Sequence, residues 1–338
     1  MRVGLNRFGM AIAAAGLWLM PAAWADDSTA ELGVGGLHFT HTSAIQMLSE
    51  DLFLSTEEVR IHYVFHNRTT RDVTTRVAFP LPDITPNYYF EPVGFPNTGD
   101  PNFVNFETRA DGRRVPMEAE QHARLRGTDI TARVRAARLP LSPIDPHFDD
   151  AIKRLSAPER QQLVRAHLIE DVGGDPANPE FRALWTLTTI FSRMQTFPAG
   201  RDVVVEQRYR PIVGGSVGST LLIESTDRAT VAERRRMIRT YCVDDAFQRA
   251  AHEALRRSGQ PYVPEQRLSY VLTTGANWAG PIGRFHLTID KGAPGNLMSV
   301  CAPDIHRTSP TRFELERSNY TPRSNIQVLI LTPEHAGQ

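Results

Sequence analysis

Lysine is nearly absent from this chain: Lys153 and Lys291 stand alone among 38 basic residues, and all the others are arginine. Acidic residues also number 38, so the formal net charge is zero. That removes the basic excess a nucleic-acid binder presents. The glycine-rich residues 214–218 carry no lysine, which excludes a phosphate-cradling loop of the Walker type. Cysteine is equally scarce. Cys242 and Cys301 are the only two, and no C-x-x-C or Cys–His spacing accompanies either. Beyond the N-terminus no run approaches the roughly 20 apolar residues that a membrane-spanning helix needs. Internal repeats and low-complexity tracts are missing as well.

What is present begins with the first residues. Arg2 and Arg7 form a positive n-region, residues 10–19 are apolar, and Ala23-Trp24-Ala25 precedes Asp26. This is the pattern of a secretory signal peptide over residues 1–25, with cleavage between Ala25 and Asp26. The expected destination is the periplasm. The even cysteine count in an exported chain then predicts a Cys242–Cys301 disulfide. The chain after cleavage is long enough for about two domains of roughly 100–200 residues.

Residues 59–66 alternate. Val59, Ile61, Tyr63 and Phe65 share one face; Arg60, His62, Val64 and His66 share the other. This predicts a strand with one buried face, a polar turn at residues 67–70, and a second strand over 73–79. Residues 45–48 and 51–55 also read as strand, and Ala110-Asp111-Gly112 marks a hairpin between 104–108 and 114–118. Helical signals occupy about 146–172, with Asp145-Pro146 at one start and the capping box Ser156-Ala157-Pro158-Glu159 at another. The apolar positions Leu163, Val164, His167 and Leu168 keep helical spacing, and Gly173-Gly174 is the expected stop. Strands resume over 185–197 and 203–213. A helical pair follows over about 230–259, opened by a second capping box at Thr230 and closed near Gly259. Residues 268–331 return to strand. The expected fold is mainly β with helical insertions, as two β-sandwich-like domains at 26–225 and 226–338.

The chemical constellations are sparse. In a strand His62 and His66 stand about 13 Å apart, too far for one zinc ion. His38 and His41 point to opposite faces. Carboxylates Asp149 and Asp150 beside His147 suit the first turn of a helix for dipole reasons. Residues 214–218, Gly-Gly-Ser-Val-Gly, satisfy G-x-S-x-G with Ser216 at the nucleophile position, and Asp244, Asp245, His252, His286 and His306 follow in the order a triad needs. An elbow requires a helix directly after the serine, whereas residues 220–223 read as extended. A glycine-rich turn is the plainer reading, with a serine hydrolase using Ser216 kept as the alternative. A third reading is a metal-binding protein whose histidines are gathered by folding. Asn67-Arg68-Thr69 and Asn319-Tyr320-Thr321 match the glycosylation sequon.

Two loops carry exposed-type aromatics. Residues 80–101 place Tyr88, Tyr89 and Phe90 among prolines and glycines, and residues 275–281 place Trp278 in a turn. Both are candidate recognition surfaces for an unknown protein or envelope ligand. No cofactor is expected.

Several of these stretches together resemble a known family. They are residues 27–32, 35–37 and 49–52, then Val77-Ala78-Phe79-Pro80-Leu81-Pro82-Asp83, Phe197-Pro198-Ala199-Gly200, Tyr209-Arg210-Pro211, Tyr241-Cys242 with Asp244, and Asn277-Trp278 with residues 280–283. Their combination resembles an exported bacterial family designated domain of unknown function 4424, over nearly the whole mature chain. Ser192-Arg193-Met194 departs from the more aromatic pattern expected there. The resemblance implies a bacterial, periplasmic protein and carries no catalytic residue. The strand followed by Phe-Pro-Leu-Pro is also similar to the vault/inter-α-trypsin β-sandwich module, an interaction domain.

Overall fold

The computed structural model describes residues 28–33, 36–86, 93–94, 97–175 and 178–333. The chain opens with β1 (Ser28–Gly33), β2 (Gly36–Thr40), β3 (Ile45–Leu54), β4 (Val59–Asn67), β5 (Val73–Pro80), β6 (Val93–Gly94) and β7 (Glu107–Ala110). Next come β8 (Arg113–Val115), β9 (Glu118–Leu125), β10 (Thr128–Asp129) and helices α1 (Thr131–Ala136), α2 (Phe148–Lys153) and α3 (Ala157–Arg165). Strands β11 (Ile169–Asp175), β12 (Asn178–Ala183), β13 (Thr186–Phe197), β14 (Asp202–Tyr209) and β15 (Val213–Ser216) precede α4 (Arg228–Tyr241) and α5 (Asp245–Ser258). The last stretch holds β16 (Glu265–Tyr270), β17 (Ile282–Asp290), β18 (Leu297–Val300), β19 (His306–Arg307), β20 (Arg312–Tyr320) and β21 (Ile326–Leu331).

The strands form three large sheets and a hairpin. An eight-stranded sheet runs β19-β20-β17-β3-β4-β14-β7-β8, a six-stranded sheet β10-β9-β13-β5-β1-β2, and a five-stranded sheet β18-β21-β16-β15-β6. Strands β11 and β12 pair alone. The fold is mainly β with helical insertions, as the sequence predicts. One apolar cluster joins all three sheets: Ile61 and Phe65 from the eight-stranded sheet, Phe79 and Phe191 from the six-stranded one, Tyr270 and Val328 from the five-stranded one. The eight-stranded sheet is thus backed by two smaller sheets through one continuous core.

That sheet crosses the expected boundary near residue 225. Strand β17 lies parallel to β3, with Leu287 opposite Leu52. The contact is close because β3 bulges between Met47 and Ser49. A Cβ on Gly283 would meet the Leu48 carbonyl oxygen at 2.5 Å, so only glycine fits there. A polar tie also bridges the sheets inside the core. The Tyr63 and Tyr270 hydroxyls lie 3.2 Å apart, and Tyr270 donates to the fully buried Glu50 carboxylate at 3.4 Å.

Helices cover what the sandwich leaves open. Strand β21 reads Ile-Gln-Val-Leu-Ile-Leu because both its faces are buried. Val328 and Ile330 face the main core, while Leu329 and Leu331 meet Met237 and Tyr241 of α4. A separate cluster beneath α1 and α2 centres on Trp185, whose indole donates to the Leu141 carbonyl at 2.8 Å.

Three local expectations need correction. Helical character ends at Arg165 rather than 172, because His167 adopts a left-handed φ of 54° and Ile169 enters the β11–β12 hairpin. The fourth helix starts at Arg228, capped by Asp227 accepting from the Thr230 amide at 2.9 Å, so Thr230 sits inside it. Trp278, expected on an exposed turn, is 0% exposed. Its turn is pinned by Thr42 donating to Asn277 and Ala279 donating to Ile45, and its ring packs 4.5 Å from Phe65. So large an apolar ring is more stable in the core than at a wet turn, and Trp278 is not a recognition surface.

Candidate functional site

The outward face of the eight-stranded sheet brings together His62, His66 and His286. Register places Glu316, His286, Asp51, His62, Glu206 and Arg109 directly opposite one another across six strands. His62 and His66 do share that face, and each has its own acidic neighbour on β14. His66 Nδ1 lies 2.6 Å from Asp202, while His62 sits opposite Glu206. His286 Nδ1 is 3.1 Å from Asp51, and Arg208 reaches Glu107 at 2.9 Å. An opposite-charge pair directly across neighbouring strands, such as Glu206 with Arg109, stabilises a sheet by roughly 0.2–1 kcal/mol. A second cluster of this kind lies on the six-stranded sheet. His122 reaches Glu120 through Nε2 at 2.6 Å and Asp129 through Nδ1 at 2.7 Å. Partial burial opposes the charge on Asp129, but hydrogen bonds from the Thr131 hydroxyl and amide and from His122 hold its pKa at about 2. Among the described residues, no three His, Cys, Asp or Glu side chains are grouped to hold a metal ion.

The other candidate is a cleft of about 1140 Å³ at one end of the five-stranded sheet. Its floor comes from neighbouring strand ends. Leu297 pairs with Leu331, Leu331 with Glu265, and Glu265 with Ser216. One residue further on, Asn296, Thr332, Pro264 and Val217 all line the cleft. The loop holding Lys291 stands on one side and the β3–β4 turn with Glu57 on another. Lys291, buried, donates to the carbonyls of Pro294 and Asn296, which folds its loop over the sheet end. Asn296 is 4% exposed; its amide donates to the Lys291 carbonyl at 2.7 Å, and its Oδ1 has no partner. At the rim, Val217 is 69% and Tyr262 46% exposed.

Ser216 therefore lines this cleft, though its local geometry is that of a turn. Its hydroxyl donates to the Gly218 carbonyl at 3.0 Å, and the next helical turn, at Thr220–Leu222, is a short 3-10 segment. No histidine is among the described residues of the cleft wall. Sequence reasoning singled out Ser216 but missed Glu265, Gln266, Asn296 and Tyr262, because nothing in the linear order brings four strand ends together.

The remaining expectations fall as follows. Cys242, left-handed just beyond α4, is bonded to Cys301, just beyond β18, with Cα atoms 5.0 Å apart. Asn67 is fully buried, and its amide donates to the Arg71 and Phe197 carbonyls at 2.8 Å each, so its role is structural. Asn319 is exposed. Asp149 and Asp150 occupy the first turn of α2. Tyr88, Tyr89, Phe90, Ala25 and Asp26 lie outside the described residues.

Fold and cleft together define a β-sandwich protein with an open cleft of mixed polar and apolar lining. The chain belongs to the family described as domain of unknown function (DUF4424), which matches residues 25–329. A crystal structure from Legionella pneumophila, of a candidate nutrient-binding protein, aligns with 91% of this chain and 73% of its own at 13% identity, with a TM-score of 0.43. No curated protein matches the sequence.

Proposed function

We propose that the protein is an exported, non-catalytic binding protein of the cell envelope that takes its ligand in the cleft at the end of the five-stranded sheet. The cleft carries this reading: it is roomy, and a few polar side chains, among them Gln266 and Asn296, stand among apolar lining residues such as Val213, Val217 and Tyr262, the arrangement of a ligand site. Export is supported by the leader-like N-terminus and by the Cys242–Cys301 bridge, since disulfides persist in oxidising compartments. No helix among the described residues is long and apolar enough to cross a membrane.

The test uses the full chain expressed in a Gram-negative host. Osmotic shock should release a protein that begins at Asp26, with both cysteines oxidised. A fluorophosphonate probe should leave Ser216 unlabelled. Retention in the cytoplasm with free thiols removes the export claim. Labelling that disappears in Ser216→Ala removes the non-catalytic one.

A further inference from the structure

The buried charges of the cleft wall are engaged within the protein: Glu265 faces Arg267 at 3.5 Å, and Lys291 is held by two carbonyls. The exposed Arg210 and Glu57 stand 4.0 Å apart with opposite charges, so the pair presents no net charge to a ligand. The groups that remain are neutral. Among the described residues, the side chains of Thr56 and Gln266 make no hydrogen bond, and Asn296 Oδ1 is an acceptor without a donor. Carboxamides and hydroxyls can both donate to and accept from vicinal hydroxyl groups. Tyr262 adds a half-exposed aromatic ring at the rim, beside Gly218, where a Cβ would press on it at 3.1 Å. Such a ring offers an apolar body to a C–H face and a polar tip to water. At about 1140 Å³ the space exceeds the roughly 300–1,000 Å³ of pockets that enclose one drug-sized molecule.

We infer that the cleft binds a neutral oligosaccharide, with Tyr262 stacking against a sugar ring and Gln266 and Thr56 reading its hydroxyls. This rests on the binding reading above and names the ligand class of the same cleft. Binding of this kind depends weakly on salt, because its contacts are hydrogen bonds and stacking rather than charge pairs.

Calorimetric titration of the disulfide-bonded protein tests it, with chitotetraose, cellotetraose and maltotetraose as neutral probes, spermidine as the cationic one and citrate as the anionic one. At least one saccharide should bind with Kd below about 1 mM, and added salt should change that value little. Tyr262→Ala should weaken it about three- to tenfold, and Gln266→Ala similarly. Glu206→Ala, on the open sheet face, should leave it unchanged. Tyr262 and Gln266 are not core residues, and unchanged melting temperatures will show that the variants fold. No binding of any saccharide at about 10 mM overturns the inference. Saccharide binding that ignores both cleft substitutions overturns the site. Binding of spermidine or citrate alone, with the same variant sensitivity, overturns the ligand class and leaves the binding function standing. Release of shorter sugars from a bound saccharide would instead overturn the non-catalytic reading.

Discussion

The outer faces of the sheets and the cleft at the end of the five-stranded sheet draw on similar residue types and arrange them in opposite ways. On the outer faces, ionisable groups meet across neighbouring strands: His286 with Asp51, His66 with Asp202, His122 with both Glu120 and Asp129. These side chains are hydrogen-bonding partners of one another, so their polar atoms are taken up within the sheet surface. In the cleft the charges are likewise matched inside the protein, but neutral polar atoms are left over in a recess. A density of histidines and carboxylates is therefore the weaker sign of a site. Leftover hydrogen-bonding capacity in a concave space is the stronger one.

The largest expected effect sharpens this contrast through the disulfide. Cys242–Cys301 ties the end of α4 to the far end of β18, the strand that begins beside Asn296. Opening it frees a loop with a sequence separation of 59, which the chain-entropy model values at about 4 kcal/mol. Cys242→Ser with Cys301→Ser should lower stability by about that amount in chemical denaturation. Hydrogen exchange should rise around residues 291–300 while β4 and β14 stay protected. A uniform rise across both regions would mean that the cleft and the outer face are one cooperative unit.

A smaller effect comes from one substitution made in both places. Gly283→Ala sets a methyl group against the Leu48 carbonyl at the parallel seam, and should cost about 2–3 kcal/mol as the strands part. Gly214→Ala, in the cleft floor, meets nothing closer than Arg267 at 3.8 Å. It should be neutral or stabilise by about 0.5 kcal/mol, since alanine loses less backbone entropy on folding. Thermal melts of the two variants decide it. Equal losses would show that the cleft floor is as tightly determined as the seam.

These contrasts also explain what the sequence could reveal. Strand β4 was legible because period-two alternation is a local signal, and the Asp111-Gly112 turn because both residues need positive φ, here 48° and 75°. The parallel pairing of β3 with β17 was not legible, since it depends on a bulge at Leu48 and on a glycine far along the chain. Helical spacing misled at Leu168 because periodicity cannot register the left-handed turn at His167. Trp278 misled for a related reason. Its glycine- and asparagine-rich neighbours suggest an exposed turn, while the ring beneath it fills the space beside Phe65 and Phe197. In the cleft only Ser216 carried a motif; Asn296, Gln266 and Tyr262 become a group only when four strand ends meet.

The smallest effect concerns acid. If the outer-face clusters serve stability alone, their titration should change folding and leave binding untouched. Asp129 is the group to follow, with a folded pKa of about 2 against an ordinary 3.8. The sign follows from linkage: a depressed carboxylate stabilises the fold fully above pH 3.8, and that contribution fades as pH falls through 2. Asp129→Asn should therefore be less stable than the parent at pH 5, and the gap should close between about pH 4 and 2. Because Asp129 is partly open to solvent, the gap itself is modest. Saccharide affinity at pH 5 should be the same in both proteins. A loss of affinity in Asp129→Asn would join the two regions functionally and break the contrast between a self-satisfied surface and a cleft with neutral polar groups to spare.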